Sequence, residues 1–143
     1  MKIDTLLRLA AAATLSAGSI SAFAQVAVVV GPKSPLTAMT AEQVGAIFLG
    51  KVNTLPSGAT ALPTDLPDSL PVHDIFYTKV AGKSSAQVKA AWSRLVFSGK
   101  ATPPKELASS AEVKKFVAAN PDAIGYIEKS AVDSSVKVVF SAD

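Results

Sequence analysis

Hydrophobic positions along this chain switch between near-continuous runs and helical spacing, and the switches predict its elements. Gln25 to Val30 reads Q-V-A-V-V-V, which is β-branched and almost uninterrupted and predicts a strand covered on both faces of a sheet. Gly31-Pro32 ends it. Thr40 opens a helix with Gln43 three residues on as a capping box, and Val44, Ile47 and Phe48 share one face before Gly50. A short strand follows over 59–64, broken near Pro63, and Asp65 to Pro67 leads out of it. Ser69 is placed as the N-cap of a second helix with Pro71 in its first turn, an inward stripe of Val72, Ile75, Phe76 and Val80, and Gly82 closing it.

Ser84 and Gln87 form another capping box, ahead of Val88, Ala91, Trp92, Leu95 and Val96 at strict helical spacing. That spacing suits a core Trp92 and an exposed contact Trp92 equally. Ser98-Gly99-Lys100 stops the helix, and Thr102-Pro103-Pro104 makes a stiff loop. Ser109 with Glu112 opens a last helix bearing Val113, Phe116 and Val117, which Asn120-Pro121 ends. Strands are predicted over 123–127 and 136–140. The order β, α, β, α, α, α, β, β, with short connections, indicates an α/β fold: a mixed sheet flanked by helices. No repeat or linker divides residues 25–143, which read as a single domain.

Residues 1–24 read differently. Lys2 and Arg8 precede an apolar, Ala-rich stretch that ends in Ala22-Phe23-Ala24, the pattern of a secretory signal peptide cleaved between Ala24 and Gln25. The stretch is too short for a spanning helix, which needs roughly 20 apolar residues. Cleavage would leave a periplasmic or secreted chain of 119 residues with 12 Lys and Arg against 10 Asp and Glu.

Composition narrows the chemistry further. The chain has no cysteine, so a thiol nucleophile, a disulfide and any Cys-containing zinc site are excluded, and its one histidine, His73, excludes a multi-histidine metal site. Ser69 lies one helical turn before His73, but no nucleophile elbow surrounds it, and its capping role accounts for it. Read as a plain helix residue, His73 faces solvent. Asp65 and Asp68 flank a proline turn and fall short of a calcium ligand set. No catalytic residues, metal or cofactor are expected. The scattered cations, with no basic run among aromatics, also exclude a nucleic-acid partner. The helix start at Ser69 is an oxyanion-binding candidate, since free N–H groups and the positive dipole end gather there.

Several segments resemble a known family. Ala46 to Val52 (AIFLGKV) is similar to the I-F-x-G-K-I segment of PstS-like periplasmic phosphate-binding proteins. Asn120-Pro121 with Ala123 to Ile127 (AIGYI) resembles their P-G-A-I-G-Y-V segment. Asp68-Ser69 and Phe76 sit where that family has D-G-S-G-T and a downstream Phe, and Trp92 to Lys100 (WSRLVFSGK) with Pro103-Pro104 is similar to short secreted members. The resemblance spans 36–127 and implies one lobe of a type 2 periplasmic binding protein. It implies a non-catalytic, solute-binding domain taking phosphate or a similar oxyanion for an ABC importer. Ser69, Leu70, Thr64, Asp65 and His73 would then line the site, Asp65 accepting a proton from the oxyanion. The sequence departs from the family where Leu70 and Pro71 replace Gly and Thr, where Pro71 has no N–H, and where no arginine lies near. One lobe also leaves a ligand half exposed. A homodimer or another subunit would complete the cleft; alternatively, the domain is an interaction module of the cell envelope, binding a membrane transporter or sensor protein.

Overall fold

The structure, a computed structural model, describes residues 25–143, so residues 1–24, expected above to be a signal peptide, lie outside the described residues. The valine run forms β1 (Val26–Val30), every residue of which is buried, and β1 occupies an interior position of a five-stranded sheet. The other strands are β2 (Leu62–Asp65), β3 (Lys105–Glu106), β4 (Ala123–Glu128) and β5 (Lys137–Ala142). Their order is β3-β2-β4-β1-β5. β1 runs antiparallel to both β4 and β5, with Val28 opposite Tyr126 on one side and Phe140 on the other. β2 runs parallel to β3 and β4. The sheet is therefore mixed, as predicted, and β1 lies inside it because β-branched side chains with no polar alternation can be buried on both faces.

Four helices flank the sheet. In α1 (Ala41–Phe48) the capping box closes in both directions, Gln43 N–H donating to Thr40 Oγ1 at 3.1 Å and Thr40 N–H to Gln43 Oε1 at 2.9 Å. The Ser84/Gln87 box does the same for α3 (Ser85–Phe97). In α4 (Ser110–Ala119) only half a box forms. Ser109 Oγ accepts from Glu112 N–H, while the Glu112 carboxylate takes the Ala108 N–H at 2.7 Å instead.

The second helix corrects the sequence reading. α2 (Pro71–Phe76) has Leu70, not Ser69, as its N-cap, with no side-chain cap and Pro71 at its first position. Ser69 lies in the exposed turn before it. α2 then widens into a π-turn over Tyr77–Ala81 that ends at Gly82, whose φ of +65° is left-handed. The consecutive residues Phe76 and Tyr77 are both fully buried. Packing of these two rings decides the site below.

β3 was not visible in the sequence. It falls directly after the predicted Pro103-Pro104 loop, and its two residues pair with Thr64 and Asp65. Trp92 belongs to the core: it is 9% exposed, and its Nε1–H donates to the Phe48 carbonyl at 2.8 Å, tying α3 to the end of α1. Val96, which shares the helical spacing of Trp92, is 49% exposed, and Phe97 is 95% exposed. Around Trp92 the core continues into an aromatic cluster, with the Phe76 ring stacked on Tyr126 at 3.9 Å and edge-on to Phe48 at 4.9 Å.

Candidate functional site

The sheet places one carboxylate at the carboxyl end of β2 and surrounds it with donors. Asp65 Oδ1 accepts from its neighbour's Leu66 N–H at 2.9 Å and from the Tyr126 hydroxyl of β4. Asp65 Oδ2 accepts from the Tyr77 hydroxyl at 2.9 Å. A carboxylate offers about four lone-pair sites. Three are thereby filled, and one on Oδ2 is left. Tyr126 is held by its stack on Phe76 and Tyr77 by the π-turn, so both donors are fixed before any ligand arrives.

Burial raises the Asp65 pKa above the usual carboxylate range, against the lowering effect of Tyr126, the His73 charge, Tyr77 and the Leu66 N–H. Burial, followed by the Asp65 charge, raises Tyr77 and Tyr126 well above the ordinary tyrosine range. Both phenols therefore stay protonated and act as donors.

His73, expected on a solvent face, is only 6% exposed. The first turn of α2 holds it between the β2 end and the start of α3, with Nδ1 2.9 Å from Ser85 Oγ and Nε2 3.7 Å from Asp65 Oδ1. Ser85 Oγ donates in turn to Asp74 Oδ1 at 3.2 Å. This directs the chain of donors from His73 Nδ1–H through Ser85 to Asp74, a tautomer set by the hydrogen-bond network. The imidazole Nδ1–H donates a hydrogen bond to the serine rather than accepting one from it, which is the opposite of nucleophile activation. Nε2 stays beyond hydrogen-bond distance of Asp65, close enough only for an electrostatic interaction.

A cleft of about 470 Å³ opens on this network, bringing Asp65, Asp68, His73, Ser85, Lys89 and Glu106 together over a wall that includes Trp92 and Pro103. Two of the predicted residues, Asp65 and His73, line it. Thr64 does not: it is fully buried and donates to the Ile124 carbonyl at 3.3 Å, because successive strand residues face opposite sides of a sheet. Gly125 makes room for it, since a Cβ there would collide with Thr64 Oγ1 and Val113. Ser69 and Leu70 do not line the cleft either. Pro71 has no N–H to offer, and the His73 N–H is spent on the Leu70 carbonyl at 3.0 Å. Among the described residues no cluster of three or more His, Asp or Glu side chains is arranged to hold a metal ion.

Sequence reasoning missed Ser85, Lys89, Glu106, Tyr77 and Tyr126. Ser85 stands beside the capping Ser84 and carries no signal of its own, and Tyr126 lies 61 residues from the carboxylate it contacts.

A mixed sheet in this order, helices over it, and a polar cleft at a carboxyl strand end define an α/β domain. Comparison with solved structures shows the same fold. A chain from Clostridium perfringens, described as a phosphate ABC transporter substrate-binding protein with bound phosphate, superposes with a TM-score of 0.65 and is 24% identical. The match covers 80% of this chain and 43% of that one. An ABC-type phosphate transport receptor from Vibrio cholerae gives 0.64 at 22% identity, covering 80% and 44%. PstS from Borrelia burgdorferi gives 0.59 at 14% identity, covering 80% and 46%. The match thus spans less than half the length of each of those chains. No protein-family model and no curated protein matches the sequence.

Proposed function

We propose that this chain is a non-catalytic, solute-binding domain that takes a protonated oxyanion, phosphate or one like it, for an ABC importer. Residues 1–24 serve as its export leader, cleaved between Ala24 and Gln25, and deliver it to the periplasm or beyond. The observation that carries this reading is Asp65, a carboxylate pinned by three donors at the cleft with one acceptor position left on Oδ2. A hydroxyl of hydrogenphosphate can donate to that position, whereas sulfate at neutral pH has no proton to give and meets a bare carboxylate. Lys89 supplies the one ammonium on the cleft wall. The fold likeness to the phosphate-transport proteins supports the same ligand class.

Calorimetry with phosphate and sulfate tests it. Phosphate is expected to bind with a dissociation constant in the millimolar range or tighter, about 4 kcal/mol of binding energy or more, and sulfate more weakly. Asp65→Asn, whose amide can donate, should erase the preference. Absence of phosphate binding at millimolar concentration overturns the proposal.

A second reading, an interaction module of the cell envelope that binds a transporter or sensor protein, is favoured by a different observation. Three carboxylates, Asp65, Asp68 and Glu106, face the cleft against the single Lys89, and Phe97 stands 95% exposed on α3. Light scattering separates the two. An open half-cleft falls short of the 70–90% burial usual for a small ligand, so the solute-binding reading predicts a homodimer, or pairing promoted by phosphate. A monomer indifferent to phosphate supports the interaction module.

A further inference from the structure

A second cleft, of about 490 Å³, opens beside α3 and shares only Trp92 with the Asp65 cleft. Its makeup is the electrostatic reverse. Lys51 and Lys100 line it, and no carboxylate does. Asn53, Thr60 and Thr102 add an amide and two hydroxyls, and the indole of Trp92 forms part of the apolar wall.

The two lysines occupy equivalent places. α1 and α3 each end at a left-handed glycine, Gly50 with φ +75° and Gly99 with φ +73°, and a lysine follows each one. A lysine at a helix C-terminus is often accounted for by bonds to the last carbonyls. Here the lysine side-chain hydrogen bonds among the described residues come from Lys79, Lys114, Lys129 and Lys137. The ion pairs among those residues likewise omit Lys51 and Lys100. Lys51 and Lys100 line one concave wall on which no carboxylate stands, so an anion entering it meets two cationic side chains.

The indole is held in one orientation beside this cleft. Its Nε1–H is engaged with the Phe48 carbonyl, so its six-membered ring is the part lying against Gly50, where a Cβ would approach Cη2 to 2.9 Å. The segments Ala46–Val52 and Trp92–Lys100, which the Asp65 cleft leaves largely unused, converge on this second cleft.

We propose that this cleft binds a small organic anion, its carboxylate or phosphate group between Lys51 and Lys100 and its apolar body against Trp92. The site is independent of the oxyanion reading of the Asp65 cleft, and either can fail without the other.

Trp92 is the sole tryptophan of the chain and lines both clefts, so its fluorescence reports a ligand in either one, and the lysine variants below say which. Benzoate and phenyl phosphate serve as probes, with inorganic phosphate as the control that lacks an apolar body. The expected result is a saturable change in Trp92 emission with both probes, confirmed by calorimetry. The Lys51→Gln/Lys100→Gln double variant should weaken it roughly tenfold or more, since charge-assisted bonds to an anion are among the stronger polar contacts. Both lysines are exposed, and an unchanged thermal midpoint verifies that the variant folds. Lys89→Ala, in the other cleft, should leave probe affinity unchanged. No saturable change up to about 10 mM, which is weaker than a millimolar site, overturns the proposal. So does affinity that survives the double variant, or affinity that is lost with Lys89→Ala instead.

Discussion

Replacing Tyr77 by Phe removes one oxygen from a fully buried ring and leaves its edge-on contact with Phe76, at 4.9 Å, in place. The loss is therefore that of one hydrogen bond, from the Tyr77 hydroxyl to Asp65 Oδ2 at 2.9 Å. With Asp65 ionised, a bond to a charged acceptor is worth about 1.5–3 kcal/mol, and with Asp65 protonated a neutral bond is worth about 0.5–1.5 kcal/mol. The cost of Tyr77→Phe should thus be larger at neutral than at acidic pH, by about 1 kcal/mol. The sign follows from linkage. Burial raises the Asp65 pKa in the folded state, so folding takes up a proton between the ordinary carboxylate value and the raised one. Stability is therefore greatest on the acid side of that window and falls as pH rises through it. Tyr77→Phe deletes one of the groups holding the pKa down, which extends the window upward and deepens the fall. Equilibrium urea unfolding followed by Trp92 emission, repeated from roughly pH 4 to pH 8, measures both effects. At neutral pH the melting temperature should drop by roughly 4 °C or more for each kcal/mol lost. A loss below about 0.5 kcal/mol, the range of surface substitutions, or one of equal size at both ends of the pH range, refutes this account of the Asp65 network.

Other substitutions test the packing. Trp92→Ala, which leaves no tryptophan to emit, should cost about 3–5 kcal/mol in urea unfolding followed by circular dichroism, because it empties a core position and strips the Phe48 carbonyl of its donor. Gly50→Ala should cost at least about 1 kcal/mol, since φ is +75° and the new Cβ would lie 2.7 Å from Leu95 Cδ1; a neutral result by thermal melting would mean that the turn relaxes. Phe97→Ser should leave stability within about 0.5 kcal/mol while abolishing any self-association seen by light scattering, if that exposed ring is a contact.

Helix caps were legible because they are local. Thr40/Gln43 and Ser84/Gln87 close within three residues, and the structure shows both boxes as the sequence predicts. The start of α2 was misread for an equally local reason. Ser69 has capping chemistry, but Pro71 with its fixed φ is pre-organised for the first helical position, which moves the cap to Leu70. Of the candidate site, Asp65 and His73 were found as single residues, and their relation was not. His73 was expected in solvent because its helical neighbours did not mark it as inward. Its burial comes from α3, whose first residue, Ser85, lies 12 positions along the chain. Thr64 was expected to line the site on the family resemblance, and strand alternation sends it to the face opposite Asp65.

By itself the sequence determined the α/β class, the buried valine strand, the capped helices and the poverty of catalytic groups, all properties carried by neighbours within about a helical turn. Tertiary structure decided the rest. It added β3, which at two residues has no periodicity to read and exists only through its pairing with β2. It gathered Asp65, Tyr77 and Tyr126 from three elements into one hydrogen-bonded cluster, and it settled Trp92 into the core between two clefts of opposite charge. Those outcomes depend on which elements pack together, and a hydrogen bond or a field between residues distant along the chain has no local pattern to announce it.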